Sequence, residues 1–446
     1  MPKRSHPAGS PTPLNRRRFL RQATGTLTLP WLVPATIFHS AGRAGANDRI
    51  TVAHIGVGGM GTAHLKNMKL FREEGEVNIA AVCEADASRL AKAVAEVGPG
   101  VTPYRDYRHI LERKDVDAII IATPDHWHPV MCIHGCDSGK HVYVEKPASV
   151  ALADGRAMVN VARRTNRVVQ VGSQGRSAKP AHSACTYIRN GMLGKVHTVT
   201  CWHSLNPTGG TDPDSAPPPE LDWDLWLGPL PWRPFNKAYL PGTFRWVMES
   251  GGGVIRDRGA HVFSVIRWCL EADEQHPVTI EATGAPPTKG IWDCPPEMKV
   301  VYTFKNPDWT LIWEQPGDKR GREDFGIVFH GDKDFLIVSR DGTQVDPMKK
   351  AHEYVVPPGG VTIPRIDKYA DYNMNHKVDW FRAIRTGQRP IMDIEPAHRS
   401  STLCILGNLS WLLGRKLTWD AQREQVVGDA EANRLLQRPQ RHPYCI

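Results

Sequence analysis

A buried strand that ends in a glycine fingerprint constrains this chain more than any other feature. Residues 50–55 are a mostly apolar run, and Gly56, Gly58 and Gly61 follow in the spacing G-x-G-x-x-G. The stretch from Thr62 to Phe71 then has the pattern of a helix. The first two glycines permit a tight turn and close approach to a pyrophosphate at the helix N-terminus, and the third lets helix and strand pack closely. The motif predicts a dinucleotide-binding loop that also contains Gly59 and Met60.

A second strand adds an acidic residue at the spacing that such a loop requires. Residues 77–83 form an apolar run that ends at Glu84, and Asp86 follows without an arginine directly after Glu84. A carboxylate at this position binds ribose hydroxyls and repels a 2′-phosphate. The sequence therefore predicts NAD, rather than NADP, as the cofactor.

Further strands alternate with helices up to residue 172, as in a doubly wound parallel sheet. Residues 116–121 and 141–144 form two of these strands, and ligands bind at the carboxyl ends of strands in such sheets. The candidate cofactor-binding residues at these ends are Thr123, Pro124, His126, His128, Glu145 and Lys146. The His-x-His pair could also suggest a metal, but no third ligand accompanies it at zinc-like spacing, so we predict packing beside the cofactor and no metal site.

The N-terminus has the pattern of an export leader. Residues 15–21 read Asn-Arg-Arg-Arg-Phe-Leu-Arg, which matches the twin-arginine pattern, and a mildly apolar run follows. Pro30 and Pro34 interrupt that run, so it predicts no transmembrane span. A small-x-small site predicts cleavage after Ala46, delivery of the folded chain by the twin-arginine translocase, and a periplasmic or exported protein. A basic disordered N-terminus is the alternative.

Net charge follows from this leader. The chain carries 56 basic and 47 acidic residues, a net charge of +9. Seven of the basic residues and no acidic residue lie in residues 1–46, which leaves 49 basic against 47 acidic residues, or about +2. A nearly neutral mature chain gives no reason to expect a nucleic-acid partner or stable membrane insertion.

The pattern changes near residue 173. Strands then follow one another with short turns, which predicts an α/β domain with an open, largely antiparallel sheet over residues 173–446. The boundaries are therefore 1–46 for the leader, 47–172 for a Rossmann domain and 173–446 for a substrate-binding and oligomerisation domain. The nine cysteines lack framework spacing and favour buried free thiols over structural disulfides.

The candidate chemistry lies in a second glycine-rich motif. Residues 251–253 are three glycines, and Asp257 and His261 follow at i and i+4. On one helix face the carboxylate could orient the imidazole and raise its basicity, which suits removal of a hydroxyl proton. Lys146 could hold the substrate oxygen and stabilise a developing alkoxide. A solvated surface pair is the alternative interpretation of Asp257 and His261.

These motifs together resemble the Gfo/Idh/MocA oxidoreductase family over nearly all of the chain after the leader. The resemblance implies a Rossmann domain, an open-faced α/β domain that forms homodimers or homotetramers, and nicotinamide-dependent oxidation of a sugar or polyol hydroxyl. It also implies that Lys146, Asp257 and His261 are the catalytic trio and that the Lys146–Pro147 bond is cis. Many relatives carry an acidic residue where this chain has Ser264, so the partner of the histidine differs here.

Three functions remain open from the sequence. The first is an NAD-dependent oxidoreductase acting on a CH–OH group, with tightly held cofactor because the destination lacks free dinucleotide. The second is redox-neutral, NAD-dependent glycoside cleavage or sugar conversion, although Arg176 and Ser177 stand near the place where such relatives carry a tyrosine base. The third is a non-catalytic, cofactor-stabilised sugar-binding protein. Arg256 and Arg258 could bind an anionic substrate, but we expect them to face solvent or form structural ion pairs.

Overall fold

The computed structural model of the chain describes residues 49–317, 325–339 and 346–446. The predicted leader and its cleavage point after Ala46 lie outside these residues. Within the described ranges, no helix combines the length and the apolar character needed to cross a membrane.

Six parallel strands form the first sheet, in the order β3-β2-β1-β4-β5-β6. Their bounds are Ile50–Ile55 (β1), Val77–Cys83 (β2), Thr102–Tyr104 (β3), Ala118–Ile121 (β4), His141–Val144 (β5) and Val169–Val171 (β6). The strand order reverses between β1 and β4, and the crevice outside their carboxyl ends is the usual ligand position in such sheets. This confirms the predicted Rossmann sheet.

Five helices accompany this sheet and cover both of its faces. Their bounds are Gly59–Glu73 (α1), Ala87–Val97 (α2), Arg108–Leu111 (α3), His128–Asp137 (α4) and Leu152–Thr165 (α5). Side chains of α1 and α2 pack against one face, and those of α4 and α5 against the other. Because both faces are buried, the strands are continuous apolar runs rather than alternating ones.

Eight strands form the second sheet, in the order β12-β11-β7-β10-β9-β8-β13-β14. Their bounds are Val196–Trp202 (β7), Pro277–Thr283 (β8), Met298–Phe304 (β9), Trp309–Gln315 (β10), Gly326–Gly331 (β11), Phe335–Ser339 (β12), Leu417–Asp420 (β13) and Gln425–Val426 (β14). The β7–β10 pair is parallel and the other pairs are antiparallel, so the predicted largely antiparallel sheet is confirmed.

Helices cover one face of this second sheet. The helices after the first domain are Lys179–Arg189 (α6), Trp223–Leu227 (α7), Val254–Asp257 (α8), Gly259–Cys269 (α9), Asp346–Glu353 (α10), Tyr372–Thr386 (α11), Ile394–Leu413 (α12) and Ala430–Leu435 (α13). Burial alternates along β9 and β10, as expected for a sheet with one covered face. From α9, Phe263 packs edge to face on Tyr302 and Trp313, with ring centroids 5.8 and 5.7 Å apart.

Helix α11 returns from the second half of the chain to the first sheet. Its Phe381 packs on Phe71 of α1 at 5.1 Å, and Trp380 packs on Tyr143 of β5 at 5.6 Å. The strands of the first sheet end at Val171 and those of the second begin at Val196, but this later helix completes the core of the first sheet.

An aromatic segment between β7 and α8 crosses over the first domain. The rings of Trp223 and Trp226 stack at 4.9 Å, and Leu221 forms an isolated β-bridge with Asp86. The indole nitrogen of Trp127 donates to the Leu225 carbonyl at 3.1 Å. These contacts place residues 220–228 of the second half beside the carboxyl edge of the first sheet.

The cysteines form no disulfide. All nine thiols are free, and each is buried except Cys445. This agrees with the free thiols predicted from the sequence, because small sulfur side chains fill core positions much as apolar residues do.

Candidate active site

A cleft of about 820 Å³ runs along the carboxyl edge of the first sheet. The glycine fingerprint lines one end, and residues from the second half of the chain line the other. The predicted site residues that line it are Gly56, Gly58, Gly59, Met60, Glu84, Thr123, Pro124, His128, Glu145, Lys146, Asp257 and His261. Gly61 and His126 are not at its surface.

The glycine end has the form of a phosphate cradle. At Gly56 the backbone has φ +84°, and a Cβ there would lie 2.7 Å from the Ala122 carbonyl oxygen. At Gly61 a Cβ would lie 2.0 Å from the Gly56 oxygen, so this glycine packs helix against strand behind the cleft. Helix α1 begins after Gly58 without a side-chain cap, and a Cβ at Gly59 would meet only open space. Uncapped N–H groups facing an open cleft fit a dinucleotide pyrophosphate.

Glu84 supports this loop as well as facing the cleft. Its carboxylate accepts the N–H of Val57 at 2.9 Å and that of Asp86 at 3.2 Å. Burial raises the pKa of this carboxyl despite the two hydrogen bonds. Arg89 and Arg105 also line this end, which the sequence did not predict, and Arg105 donates to backbone carbonyls at Ala85 and Glu220.

The two histidines after β4 occupy different places. His128 lines the cleft, and its ring nitrogens lie 2.8 Å from the Pro147 carbonyl oxygen and 3.0 Å from that of Thr123. His126 is fully buried behind the cleft, where its ring contacts the Trp226 carbonyl at 3.1 Å. His126, in the 3₁₀ turn Asp125–Trp127, therefore does not line the cleft, and its contact with the cofactor stays a prediction.

Lys146 and Asp257 meet at the other end of the cleft. The ammonium of Lys146 lies 2.5 Å from Asp257 Oδ1 and also donates to the Asp257 carbonyl at 3.0 Å. Both side chains are close to nine-tenths buried, and the Lys146–Pro147 peptide is cis, as predicted. Two segments more than a hundred residues apart therefore form one buried ion pair.

Asp257 does not orient His261 as the sequence suggested. The helix breaks at Arg258, so Asp257 ends α8 while His261 belongs to α9. The carboxylate instead contacts Lys146, Arg245 Nε at 3.1 Å and Arg258 Nε at 3.3 Å. Burial alone would raise the pKa of Asp257, but these three cations hold it far below its usual range.

His261 lies beside this cluster as a neutral imidazole. Burial and the charge of Lys146 lower the pKa of His261 to about 3. The hydroxyl of Ser264 donates to the backbone carbonyl of His261 at 2.8 Å, and so does not serve the ring. A neutral imidazole in a cleft is able to accept a proton.

Glu145 is held from behind by residues that the sequence did not single out. Its Oε1 bonds to His64 Nε2 and to the amide of Gln174, both at 2.8 Å. Burial opposes ionisation, yet His64 and Lys146 lower the pKa of Glu145 to about 2. The carboxylate that precedes Lys146 is therefore charged and fixed.

Two further groups were missed. Arg245 lines the cleft, and Asp125 lies in its wall with Oδ2 buried and without a hydrogen-bond partner among the described residues. Burial raises the pKa of Asp125 to about 7. Neither residue belongs to a motif with a characteristic spacing, as the glycines do. Each reaches the cleft only through tertiary contacts, so the sequence contains no signal for it.

Comparison with known proteins gives two family matches. The Gfo/Idh/MocA model described as an oxidoreductase family with an NAD-binding Rossmann fold matches residues 50–173. The model for the C-terminal alpha/beta domain of the same family matches residues 189–307 and 360–446. Together these matches span most of the chain.

Solved structures share the fold at low sequence identity. Levoglucosan dehydrogenase in complex with NADH superimposes with a TM-score of 0.60 at 19% identity, covering 83% of this chain and 99% of that one. Scyllo-inositol dehydrogenase from Lactobacillus casei, with bound NAD(H) and scyllo-inositol, gives 0.59 at 15% identity with the same coverage.

A curated relative matches part of the chain. A glycosyl hydrolase family 109 protein from Shewanella pealeana is 30% identical over 206 residues, which is 41% of this chain and 44% of the relative. The match thus spans less than half the length of that relative. The two family matches, together with the shared fold, show that the chain belongs to the Gfo/Idh/MocA oxidoreductase family and carries its NAD-binding Rossmann domain.

Proposed function

We propose that this protein is an NAD-dependent oxidoreductase that acts on a CH–OH group of a sugar, sugar derivative or polyol. The observation that carries the proposal is the Lys146–Asp257 ion pair beside neutral His261, at the end of the cleft opposite the glycine cradle. A cation for an alcohol oxygen and a base for its proton are the two groups that alcohol oxidation requires.

Each residue of the trio has a distinct role in this proposal. Lys146 binds the substrate oxygen and stabilises negative charge on it as the proton leaves. His261 accepts that proton, since its lowered pKa keeps the ring unprotonated at neutral pH. Asp257 holds the Lys146 ammonium by two contacts and therefore acts as a positioning residue. Bound NAD supplies the acceptor for the hydrogen on carbon.

The aromatic segment supports exclusion of water from this end of the cleft. Trp226, Phe244 and Trp246 line it, and the backbone of residues 220–222 pairs with residues 85–87 beside Glu84. At the C-terminus, the Tyr444 hydroxyl donates to Asp224 at 2.8 Å and ties the same segment down. A segment anchored at both places favours slow cofactor release.

We propose in addition that the chain is exported with NAD already bound, and that it works in the periplasm or outside the cell as a homo-oligomer. The twin arginines Arg16 and Arg17 motivate this, because that pathway moves folded proteins. Replacing both by lysine should retain the protein in the cytoplasm. The proposal that NAD stays bound would be contradicted if the exported protein contained no NAD and turned over only with added, freely exchanging NAD.

Redox-neutral glycoside cleavage is the second candidate, favoured by the family 109 relative from Shewanella pealeana. NAD-dependent glycosidase relatives carry a tyrosine base near residues 174–177. In this chain Gln174 reaches the cleft there, whereas Arg176 is buried and pairs with Asp273 at 2.6 Å. That arrangement offers no tyrosine at this point and weakens the candidate.

One experiment separates these functions and the non-catalytic alternative. The purified protein is incubated with neutral and acidic sugars and their aryl glycosides, while cofactor absorbance and product masses are followed. Stable reduction of bound NAD with a product two mass units lighter supports the oxidoreductase. Release of the aryl group without net reduction supports glycoside cleavage, and binding without either change supports a binding protein.

A further inference from the structure

The substrate end of the cleft contains two guanidinium groups that are only partly used by the protein. Arg245 donates from Nε to Asp257 at 3.1 Å, and Arg258 Nε lies 3.3 Å from the other oxygen of that carboxylate. Within the described ranges, the terminal nitrogens of both groups make no hydrogen bond, although both residues line the cleft. An arginine has five N–H donors in a fork that fits a carboxylate. The terminal nitrogens of two residues that line the cleft are therefore free to bind a ligand there.

The glycine motif at residues 251–253 fixes Arg245 in place. The N–H of Gly253 donates to the Arg245 carbonyl at 2.7 Å, and a Cβ on Gly251 would lie 2.4 Å from the Arg245 Cα. The guanidinium also lies over the Phe244 ring, 4.8 Å from its centroid. Gly251 therefore permits close packing against the Arg245 backbone, while Asp257 and the Phe244 ring hold the guanidinium in the absence of a ligand.

The local charge balance leaves positive charge unpaired. Asp257 faces three cations, Lys146, Arg245 and Arg258, and can neutralise one of them. Among the residues that the structure describes, the other acids near the cluster are Glu145, which is bonded to His64 and Gln174, and Asp125, whose pKa burial raises to about 7. Asp125 is thus partly protonated near neutral pH, and the reacting end of the cleft favours an anion.

We propose that the substrate is a sugar acid, a uronic or aldonic acid, whose carboxylate is bound by Arg245 and Arg258 while the reacting hydroxyl lies at Lys146 and His261. This inference rests on the proposed oxidoreductase function and adds the substrate class. Two guanidiniums joined through one buried carboxylate form a rigid receptor for a second carboxylate. Neutral sugars would leave those donors without a charged partner.

The test uses the intact protein with its cofactor chemically reduced, so that binding is measured without turnover. Calorimetric titration first compares D-glucuronate and D-galacturonate with their amides, which keep the size and planarity of the carboxylate but remove its charge. It then compares D-gluconate with neutral D-glucitol. We expect the acid to bind about ten-fold more tightly or better than its neutral partner, with a preference that weakens as salt rises.

Arginine variants identify the residues responsible. Arg245→Gln and Arg258→Gln should each remove most of the preference for the acid. The control is Arg164→Gln, which changes an exposed arginine on α5 that pairs with Asp137 and should leave the preference unchanged. Equal or tighter binding of the neutral partners overturns the inference. So does a variant that loses NAD but keeps the preference, because the arginines would then belong to the cofactor.

The outcome for the oxidoreductase function is read separately, with the cofactor in its oxidised form. If neutral sugars reduce bound NAD and sugar acids do not, the oxidoreductase proposal stands and the sugar-acid inference fails. If sugar acids bind through Arg245 and Arg258 but nothing reduces NAD, the inference on the ligand stands and the proposed function fails.

Discussion

The two ends of the cleft are built from different parts of the chain and by different means. The proposed cofactor end is built mainly from one continuous segment, residues 56–61, whose backbone conformation fits a pyrophosphate, and Glu84 supports the loop by accepting the Val57 N–H. The reacting end joins Lys146, Arg245 and Asp257 from three separate segments through side-chain charges. The first end therefore depends on the absence of Cβ atoms, and the second depends on a balance of buried charges.

This difference determines how each end should respond to mutation. Added side-chain atoms at Gly56 or Gly61 collide with backbone, which cannot move without disturbing the sheet. Removal of Lys146 at the other end still leaves Asp257 in contact with two cations, Arg245 and Arg258, so the buried carboxylate is not left unpaired. Mutations at the cofactor end should thus affect stability and NAD content, and mutations at the reacting end should affect turnover.

The largest expected effect is the loss of Lys146. Lys146→Ala should slow reduction of bound NAD by about a thousand-fold, because removal of one preorganised group at a developing oxyanion costs roughly 10²–10³ in rate and Asp257 also loses its closest partner. Single-turnover absorbance measures the rate, and extraction measures NAD content, which should stay near that of the unchanged protein.

The control is Lys92→Ala, at an exposed position on α2. If Lys146→Ala reduces bound NAD as fast as the unchanged protein does, the chemistry takes place elsewhere.

At the cofactor end, Gly61→Ala and Gly58→Ala should differ from each other. A Cβ at Gly61 meets the Gly56 oxygen at 2.0 Å, so this change should cost about 3 kcal/mol or more of unfolding free energy and empty the site. At Gly58 the nearest protein atom is a terminal nitrogen of Arg89 at 3.4 Å, so the fold should persist while NAD affinity falls. Urea unfolding and NAD titration test both, and equal stability of the two variants would refute the packing argument.

Acidification should lower the unfolding free energy, because several histidines in the core and in the cleft are held neutral in the folded protein. Burial lowers the pKa of His54, His126 and His261 to about 3, below the usual 6.5. A depressed folded pKa gives stability that is present above pH 6.5 and is lost as the pH falls toward 3, because the unfolded chain binds the protons first. Each group should cost up to about 2 kcal/mol between pH 6.5 and 5. Urea unfolding at these two pH values measures the loss; a stability that does not change would contradict neutral histidines.

The smallest expected effect concerns Asp125 and has the opposite sign. Its folded pKa, about 7, lies above the usual value, so its contribution is present below pH 4 and is lost as the pH rises through 7. Asp125→Asn resembles the protonated form, so its gain in unfolding free energy should be about 2–3 kcal/mol larger at pH 8 than at pH 5, where the folded carboxyl is still protonated. A variant that is less stable at both pH values would show that the charged carboxylate is needed.

The same contrast explains which parts of the molecule could be predicted from the sequence. The strands Ile50–Ile55, Val77–Cys83 and His141–Val144 match their predicted bounds, because apolar periodicity and turn residues are local properties. The glycine spacing located the cradle for the same reason. Short elements such as Thr102–Tyr104 have no periodicity to detect and were missed.

The reacting end was predicted only in part. Lys146, Asp257 and His261 do lie together, but the helix break at Arg258 turns the aspartate toward the lysine and away from the histidine. Arg245 and Asp125 stand in segments without motif spacing, and their charges matter only after folding brings them to one cleft. Sequence spacing on a continuous helix cannot report such contacts.

The most direct test of the central claim follows a single hydrogen atom. The protein is incubated with a substrate, found in the sugar panel, that carries deuterium on the reacting carbon, and the extracted cofactor is examined by mass spectrometry. The account predicts that deuterium moves from that carbon to the nicotinamide ring in the unchanged protein and does not move in Lys146→Ala or His261→Ala. Conversion of the substrate without deuterium in the cofactor, or transfer at the unchanged rate in either variant, would contradict it.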